Sequence, residues 1–295
     1  MKNPVRISLL AALFAALTQT AAAHSPEDNR VRIEMKGDQR CIISNGMPNH
    51  AIGDFPNSGN PHSIEEQENR FCFSANPKKN ATPTDFNHQT VAIALNGIPI
   101  RPGTAESYDP HSRRGFSRHG DHRWRLEGIG NSDDFGMDMN NAHVDHRGYY
   151  HYHGVPKGLI KTSKGSHIGY GADGFEIHWI GDKARSGWKL KRGERPSGPG
   201  GAHDGTYVED WEYRPAAGDL DQCNGGMLNG KFVYFVTATY PFWPRCIWGT
   251  PSGDFMREGR GHGGRRGPGG PRGRRGPPQG HFGDPPLDRF GYPPR

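Results

Sequence analysis

The strand-like runs of this chain are short, and glycine or proline interrupts nearly all of the segments between them. Alternating or β-branched and aromatic runs, which are typical of strands, occupy residues 31–35, 71–73, 90–95, 175–180 and 231–239. Almost no window of a dozen residues has the apolar repeat of an amphipathic helix. We therefore predict a mainly β fold, a single loop-rich antiparallel β-sandwich-like domain with few or no helices.

The two ends of the chain differ in composition from its middle. Residues 1–23 combine Lys2 and Arg6 with an apolar run and a small-residue cleavage site, which predicts a signal peptide and a secreted or periplasmic protein. Residues 257–295 are dominated by Arg, Gly and Pro and are predicted to be a disordered tail. Residues 24–256 are then the folded domain, in which no run is long and apolar enough to predict a transmembrane segment.

The positive charge of the chain is concentrated at its ends. The tail has nine arginines and three acidic residues, the predicted signal peptide has two basic residues, and the whole chain carries only +6. Residues 24–256 are therefore slightly acidic, and a specific nucleic-acid role for the domain is not indicated. The tail is expected to attract polyanions non-specifically.

All four cysteines lie in the predicted domain. An even number in an exported protein indicates two disulfides, for which three pairings are possible. We favour Cys41 with Cys72 and Cys223 with Cys246, because the members of each pair are near in sequence and lie in strand-like surroundings.

Histidines are most concentrated in residues 137–178, which hold six of the sixteen in the chain. At the centre of this segment, residues 150–153 alternate tyrosine and histidine. Successive side chains of a strand point to opposite faces, so His151 and His153 are predicted to share one face and the two tyrosines the other. Such a His-x-His pair brings two imidazoles together, as a metal site requires.

A third ligand is expected from His143, eight residues upstream across a turn. Imidazole suits zinc, copper, iron and nickel, and zinc or copper is the expected ion. Asp173 or Asp138 is predicted as a fourth ligand or as a hydrogen-bond partner of an imidazole N–H. The alternative is that these histidines bridge backbone and carboxylate groups in a loop-rich core.

Residues 101–123 are polar and rich in Arg, His and Gly. This composition predicts an exposed excursion from the domain, with solvated histidines.

The order of short motifs resembles that of the YHYH-domain proteins, exported bacterial proteins named for the tetrad at 150–153. The matching segments, in order, are NGMP at 45–48, ALNGIPI at 94–100, NNAHV at 140–144, YHYHGVPKGL at 150–159, IGYGADGFEI at 168–177, DGTYVEDWEY at 204–213, DLDQCNG at 219–225 and YPFWPRCIWGT at 240–250. The resemblance implies a single exported domain and specifies no reaction. The basic stretch at 108–122 and the Arg/Gly tail depart from the family pattern.

Three functions remain open. The first is metal binding, for handling or sensing a transition metal. The second is a metal-dependent, zinc-type hydrolase, in which a carboxylate such as Asp173 or Glu176 serves as general base. The third is a cell-surface or polyanion interaction through the basic tail. Whether the protein is an enzyme is not decided by the sequence.

Overall fold

In a computed structural model of the protein, residues 24–86 and 90–256 are described. The predicted signal peptide and the predicted tail both lie outside the described residues. Within them the chain is mainly β, with a single six-residue α-helix, α1 (Lys157–Thr162). The predicted mainly β fold with few helices is confirmed. None of the helices in this part of the chain has the length and apolar character of a membrane span.

The strands are short, as the spacing of glycine and proline predicts. In chain order they are β1 Val31–Lys36, β2 Gln39–Ser44, β3 Asn69–Ser74, β4 Thr84–Asp85, β5 Ala92–Ala94, β6 Pro99–Ile100, β7 Gly103–Tyr108, β8 Phe116–Ser117, β9 Asp121–Glu127, β10 Ala142–Val144, β11 Tyr150–Tyr152, β12 His167–Gly171, β13 Glu176–His178, β14 Trp188–Leu190, β15 Trp211–Tyr213, β16 Gly225–Leu228, β17 Lys231–Phe235 and β18 Cys246–Ile247. Single turns of 3-10 helix lie at Pro26–Asp28, Ile129–Asn131, Gly181–Lys183, Val208–Asp210 and Pro215–Ala217.

The centre of the domain is an eight-stranded sheet with the order β10-β11-β6-β5-β12-β13-β17-β16. Smaller sheets have the orders β1-β2-β3 and β8-β7-β9, and two further pairs join β14 to β15 and β4 to β18. Most pairings are antiparallel, as predicted, but β11 runs parallel to β6 and β13 runs parallel to β17. The largest buried cluster includes Ile93, Ile100, Tyr152, Ile177 and Tyr234, which all lie on or beside the central sheet.

The prediction that residues 101–123 form an exposed excursion is wrong in part. About half of this stretch lies in the sheet of β7, β8 and β9, and Thr104, Ser107 and Phe116 are buried. The sequence did not predict these strands, because β7 and β9 pair with two register shifts. Such shifts break the regular alternation of apolar side chains that indicates a strand. The tip of the excursion carries exposed arginines, including Arg113 and Arg114.

Two disulfides are present, Cys41–Cys72 and Cys223–Cys246. Cys41 and Cys72 are directly opposite each other on β2 and β3. Cys246 is on β18, and its partner Cys223 precedes β16. The described residues contain no free cysteine. The pairing is the one favoured from the sequence.

The turn between β10 and β11 positions the Tyr-His-Tyr-His tetrad at residues 150–153. Asp145 accepts hydrogen bonds through Oδ1 from the main-chain N–H groups of Arg147 and Tyr149, at 2.8 and 3.2 Å. Gly148 closes the turn with φ 78°, a left-handed conformation that favours glycine. A Cβ at Gly148 would lie 2.6 Å from Cβ of Glu65, closer than non-bonded carbon atoms approach.

Replacement of Gly148 by alanine is expected to lower the free energy of unfolding by about 1–3 kcal/mol through backbone strain. The close contact of the added Cβ with Glu65 should lower it further. Gly115→Ala is the matched control, because Gly115 has φ 76° and nothing within 4 Å of an added Cβ. Urea unfolding of both variants measures the difference. Equal losses would show that the packing against Glu65 is unimportant.

Candidate metal centre

The antiparallel pairing of β10 with β11 places three histidines on one face of the central sheet. His143 is directly opposite His151. His153 follows β11, and its main-chain N–H donates to the carbonyl of Asn141 at 2.8 Å, which extends the pairing by one step. Cross-strand partners and residues two apart on a strand share a face. The three imidazoles therefore meet beside one another.

The ring geometry of the three histidines is compact. The ring centres are 4.7 Å apart for His143 and His151, 4.7 Å for His143 and His153, and 4.8 Å for His151 and His153. One nitrogen from each ring lies within 4.8 Å of the other two. Nε2 of His143 and Nε2 of His153 are 3.1 Å apart. A tetrahedral zinc ion with ordinary bonds to nitrogen sets its ligand atoms about 3.3 Å apart, so this pair already has a suitable spacing.

Two of the rings are oriented by main-chain carbonyl groups. Nδ1 of His143 lies 2.9 Å from the carbonyl oxygen of Phe135, and Nδ1 of His151 lies 3.0 Å from that of Tyr149. A carbonyl oxygen only accepts, so each Nδ1 carries the hydrogen and each neutral Nε2 has the lone pair. In the metal-free protein Nε2 of His143 accepts a hydrogen bond from Nε2 of His153 at 3.1 Å. Metal-binding histidines in other proteins are oriented in the same way. The residues present therefore fit a metal ion bound through Nε2.

The third ring is held by close packing. His153 is 2% exposed, and its Nδ1 is buried without a hydrogen-bond partner among the described residues. A Cβ at Gly128 would lie 2.8 Å from this nitrogen. Glycine at position 128 is therefore needed for the ring to lie where it does.

The charged forms of the three histidines are unfavourable in this environment. Burial is the largest cause and lowers the pKa of His143, and it lowers the pKa of His151 and His153 well below the usual histidine value. The positive charge of Arg101 lowers the pKa of His151 further. Neutral imidazole is the form that binds a metal ion.

The tyrosines of the tetrad lie on the opposite face of β11, as predicted, and their hydroxyl groups are anchored. The Tyr150 hydroxyl donates to Oδ2 of Asp138 at 2.7 Å. The Tyr152 hydroxyl lies 2.5 Å from Nε2 of His50 and accepts a hydrogen bond from Nδ2 of Asn96 at 3.0 Å. Both rings are almost fully buried. Asp138 therefore lies on the tyrosine face, and the structure does not bring it to the histidines.

Asp173 is also separate from the three histidines. Its Oδ2 accepts hydrogen bonds from the Tyr234 hydroxyl at 2.7 Å and from the Gly249 main-chain N–H at 2.8 Å. Burial raises the pKa of this carboxyl group above its ordinary value. Glu176, the other carboxylate considered as a base, lies 3.0 Å from His178 on β13. Asp173 therefore links Tyr234 of β17 to the segment after β18, and Glu176 bonds within β13, so neither carboxylate lies with the three histidines.

A cleft of about 380 Å³ opens directly over the three histidines. Its walls are formed by residues 59–62, by residues 103–106 of β7 and by charged side chains of the segment that follows β7. Among them is Glu106, whose carboxylate is near enough to influence the pKa of His143. Sequence reasoning missed Glu106. No clear signal was available, because residues 103–108 (GTAESY) do not alternate apolar with polar side chains.

The free energy of unfolding of the metal-free protein is expected to decrease as the pH falls below about 6.5, the ordinary histidine pKa. Below that value the unfolded chain binds protons that the three buried histidines do not, because their folded pKa values are lowered. Above it this contribution to stability is fully present. Chemical unfolding with a chelator, between about pH 7.5 and about pH 5, measures the slope.

The double variant His151→Gln, His153→Gln is the comparison for this measurement. It removes two of the proton-binding groups from the cluster, so its stability should depend less steeply on pH. Identical slopes for the variant and the wild type would show that these histidines are not buried in the neutral form.

Comparison with known proteins connects this geometry to one family. The family model described as "YHYH protein" matches residues 70–249, which include the three histidines, both anchored tyrosines and Asp173. No curated protein and no solved structure is a significant match. The matched region covers more than half of the chain. The chain belongs to the YHYH protein family.

Proposed function

We propose that the chain binds one transition metal ion through Nε2 of His143, His151 and His153. The observation that carries this proposal is the convergence of three imidazoles, two of which donate Nδ1–H to main-chain carbonyls and so direct Nε2 into a common space. Mutual repulsion does not oppose this arrangement, because all three rings are held in the neutral form. Convergent neutral imidazoles are the commonest nitrogen ligands of metal ions in proteins.

The chemistry of the ligand set favours zinc or copper. Three imidazoles suit both ions, and zinc sites that keep three protein ligands leave one position for water or substrate. In the described part of the chain, no carboxylate joins the histidine cluster. Asp138 and Asp173 have other hydrogen-bond partners, so they are not included in the proposed ligand set. The three histidines line the cleft, so an ion held by them would be accessible from it.

Elemental analysis of untagged protein purified from the periplasm tests the metal site. One equivalent of zinc or copper is expected in the wild type, and it should be lost in the variant His151→Gln, His153→Gln. His167→Gln is the matched control, because His167 is a half-buried histidine of the central sheet that lies outside the cluster. It should keep the metal.

Two results would contradict the metal site. One is wild-type protein that stays metal-free after dialysis against zinc and against copper. The other is loss of metal from the His167→Gln control to the same extent as from the double variant. Circular dichroism of all three proteins separates loss of ligands from loss of folding.

A metal-dependent hydrolase is the second candidate, and the cleft over the histidines favours it. A bound zinc ion would supply Lewis acidity and a water molecule of lowered pKa. Glu106 lines the same cleft, and its Oε1 lies 3.5 Å from Nε of Arg118 in a long, weak ion pair. We infer that its carboxylate would accept a proton from a group bound beside His143. It replaces Asp173 and Glu176 in that proposed role.

Hydrolysis of a chromogenic phosphate monoester by the zinc-loaded protein tests this candidate. Glu106→Gln should lower kcat by about 10²-fold or more without loss of zinc, because it removes only the proton acceptor. Glu68→Gln, at an exposed residue just before β3, is the control and should retain the wild-type rate. Turnover no faster than with free zinc would leave metal binding as the function.

We also propose that the protein is exported from the cytoplasm. Two disulfides and membership of the YHYH family favour a periplasmic or extracellular location, since disulfides persist in oxidising compartments. The proposed signal peptide, residues 1–23, and the proposed polyanion contact of residues 257–295 lie outside the described residues.

A further inference from the structure

The charge of the cleft over the three histidines depends on the metal ion. Its lining includes three arginines and three carboxylates, namely Arg101, Arg114, Arg118, Glu106, Asp134 and Asp145. These charges balance. The three neutral imidazoles add no charge. A divalent ion bound to them would therefore keep its full charge and would be the largest local charge in the cleft. A cleft with the ion bound is therefore positive and favours an anion.

Arg114 lines this cleft, and two contacts orient its guanidinium group. Its Nη2 donates to the main-chain carbonyl of Asp134 at 2.8 Å, and its guanidinium carbon lies 4.4 Å from the centre of the Phe116 ring. Within residues 24–86 and 90–256, Arg114 forms no ion pair with a carboxylate. A carbonyl and an aromatic ring orient a cation without neutralising it.

Arg118 supplies a second cation from the same segment. Its contact with Glu106 is long, at 3.5 Å, and its side chain is 64% exposed. Such a contact is weak and is readily exchanged for a better acceptor. Arg101 is less available to a ligand, because its Nη1 lies 2.8 Å from Oδ2 of Asp145 in a half-buried ion pair.

We propose that the cleft binds a phosphoryl group, as inorganic phosphate or as the head of a phosphate monoester. This inference rests on the proposed metal site. One phosphate oxygen would occupy the open position of the ion, and the guanidinium groups of Arg114 and Arg118 would donate to the others. Arginine matches phosphate geometry through paired N–H donors. The cleft volume of about 380 Å³ lies within the range of small-molecule sites.

Calorimetric titration of inorganic phosphate into zinc-loaded protein tests the proposal, with the zinc content of each sample measured beforehand. Arg114→Gln, Arg118→Gln should weaken phosphate binding by about 100-fold if each arginine contributes about tenfold. The control is Arg113→Gln, which removes a charge from the same segment at a residue that does not line the cleft. Its phosphate affinity should stay within about twofold of wild type.

Different results overturn different statements. Equal phosphate affinities for the double variant and the Arg113→Gln control, with zinc bound in both, would overturn this inference and leave the metal site intact. Acetate bound as tightly as phosphate would overturn the phosphoryl class. Absence of zinc from the wild type would instead overturn the proposed function itself.

A separate observation concerns β1, the outer strand of the sheet β1-β2-β3. All six of its residues are exposed, and Val31, Ile33 and Met35 have exposed fractions of 36%, 47% and 58%. Cross-strand partners share a face, and Ile33 is opposite Ile42, which is fully buried. These three side chains therefore lie at the outer edge of the sheet, on the face that carries Ile42. Edge strands of this kind pair readily with a further strand.

The sequence of β1 is complementary to itself in an antiparallel arrangement. Centring the pairing on Ile33 places Ile33 opposite Ile33 and Val31 opposite Met35 of a second copy. The same register places Arg32 opposite Glu34. Apolar and oppositely charged cross-strand pairs both stabilise a sheet.

From this complementarity we infer that two copies of the chain associate through β1, which joins two three-stranded sheets into one of six strands. Sedimentation velocity of the full mature chain at micromolar concentration tests this inference. The wild type should sediment as a dimer. Arg32→Glu and Glu34→Arg should each shift it to the monomer, because each places like charges opposite one another at two positions.

The double charge reversal Arg32→Glu, Glu34→Arg is the decisive variant, since it restores both opposite-charge pairs only if the partner is a second copy in this register. It should recover the dimer. A wild type that is monomeric, or a double reversal that remains monomeric while both single variants stay folded, would overturn the inference.

Discussion

The pairing of His143 with His151 is the contact on which the site depends. It exists because β10 and β11 meet in one register, and a shift of one residue would turn the histidines to the tyrosine face. The turn between the strands fixes that register through the carboxylate of Asp145 and the left-handed conformation of Gly148. Asp145 also pairs with Arg101, which follows β6. The same carboxylate therefore links the turn to the neighbouring strand of the central sheet.

Local patterns in the sequence predicted part of this arrangement well. The alternation at 150–153 predicted a strand with its histidines on one face, and the distance to His143 predicted a hairpin that returns it to the same place. The turn at Gly37 between β1 and β2 was also evident from its glycine and the apolar runs on either side. These features depend on residues close together in the chain, so a sequence shows them directly.

The remaining features depend on contacts between distant segments. Asp138 was expected near the metal because it is close to the histidines in sequence, yet the hydroxyl of Tyr150 holds it on the opposite face. Glu106 lies 37 residues before His143, and β7, which carries it, has no clear apolar alternation. β7 pairs with β8 and β9, and Glu106 on this strand lines the cleft. No pattern within either segment specifies that contact.

The hydrogen bonds of the Tyr150 and Tyr152 hydroxyls bear on whether folding requires a metal ion. Because Asp138, His50 and Asn96 hold both rings, the strand that carries His151 is positioned by contacts that include no metal. Small zinc domains differ, since they fold only around their ion. The proposed ion would then be bound by a chain that has already folded and formed its disulfides.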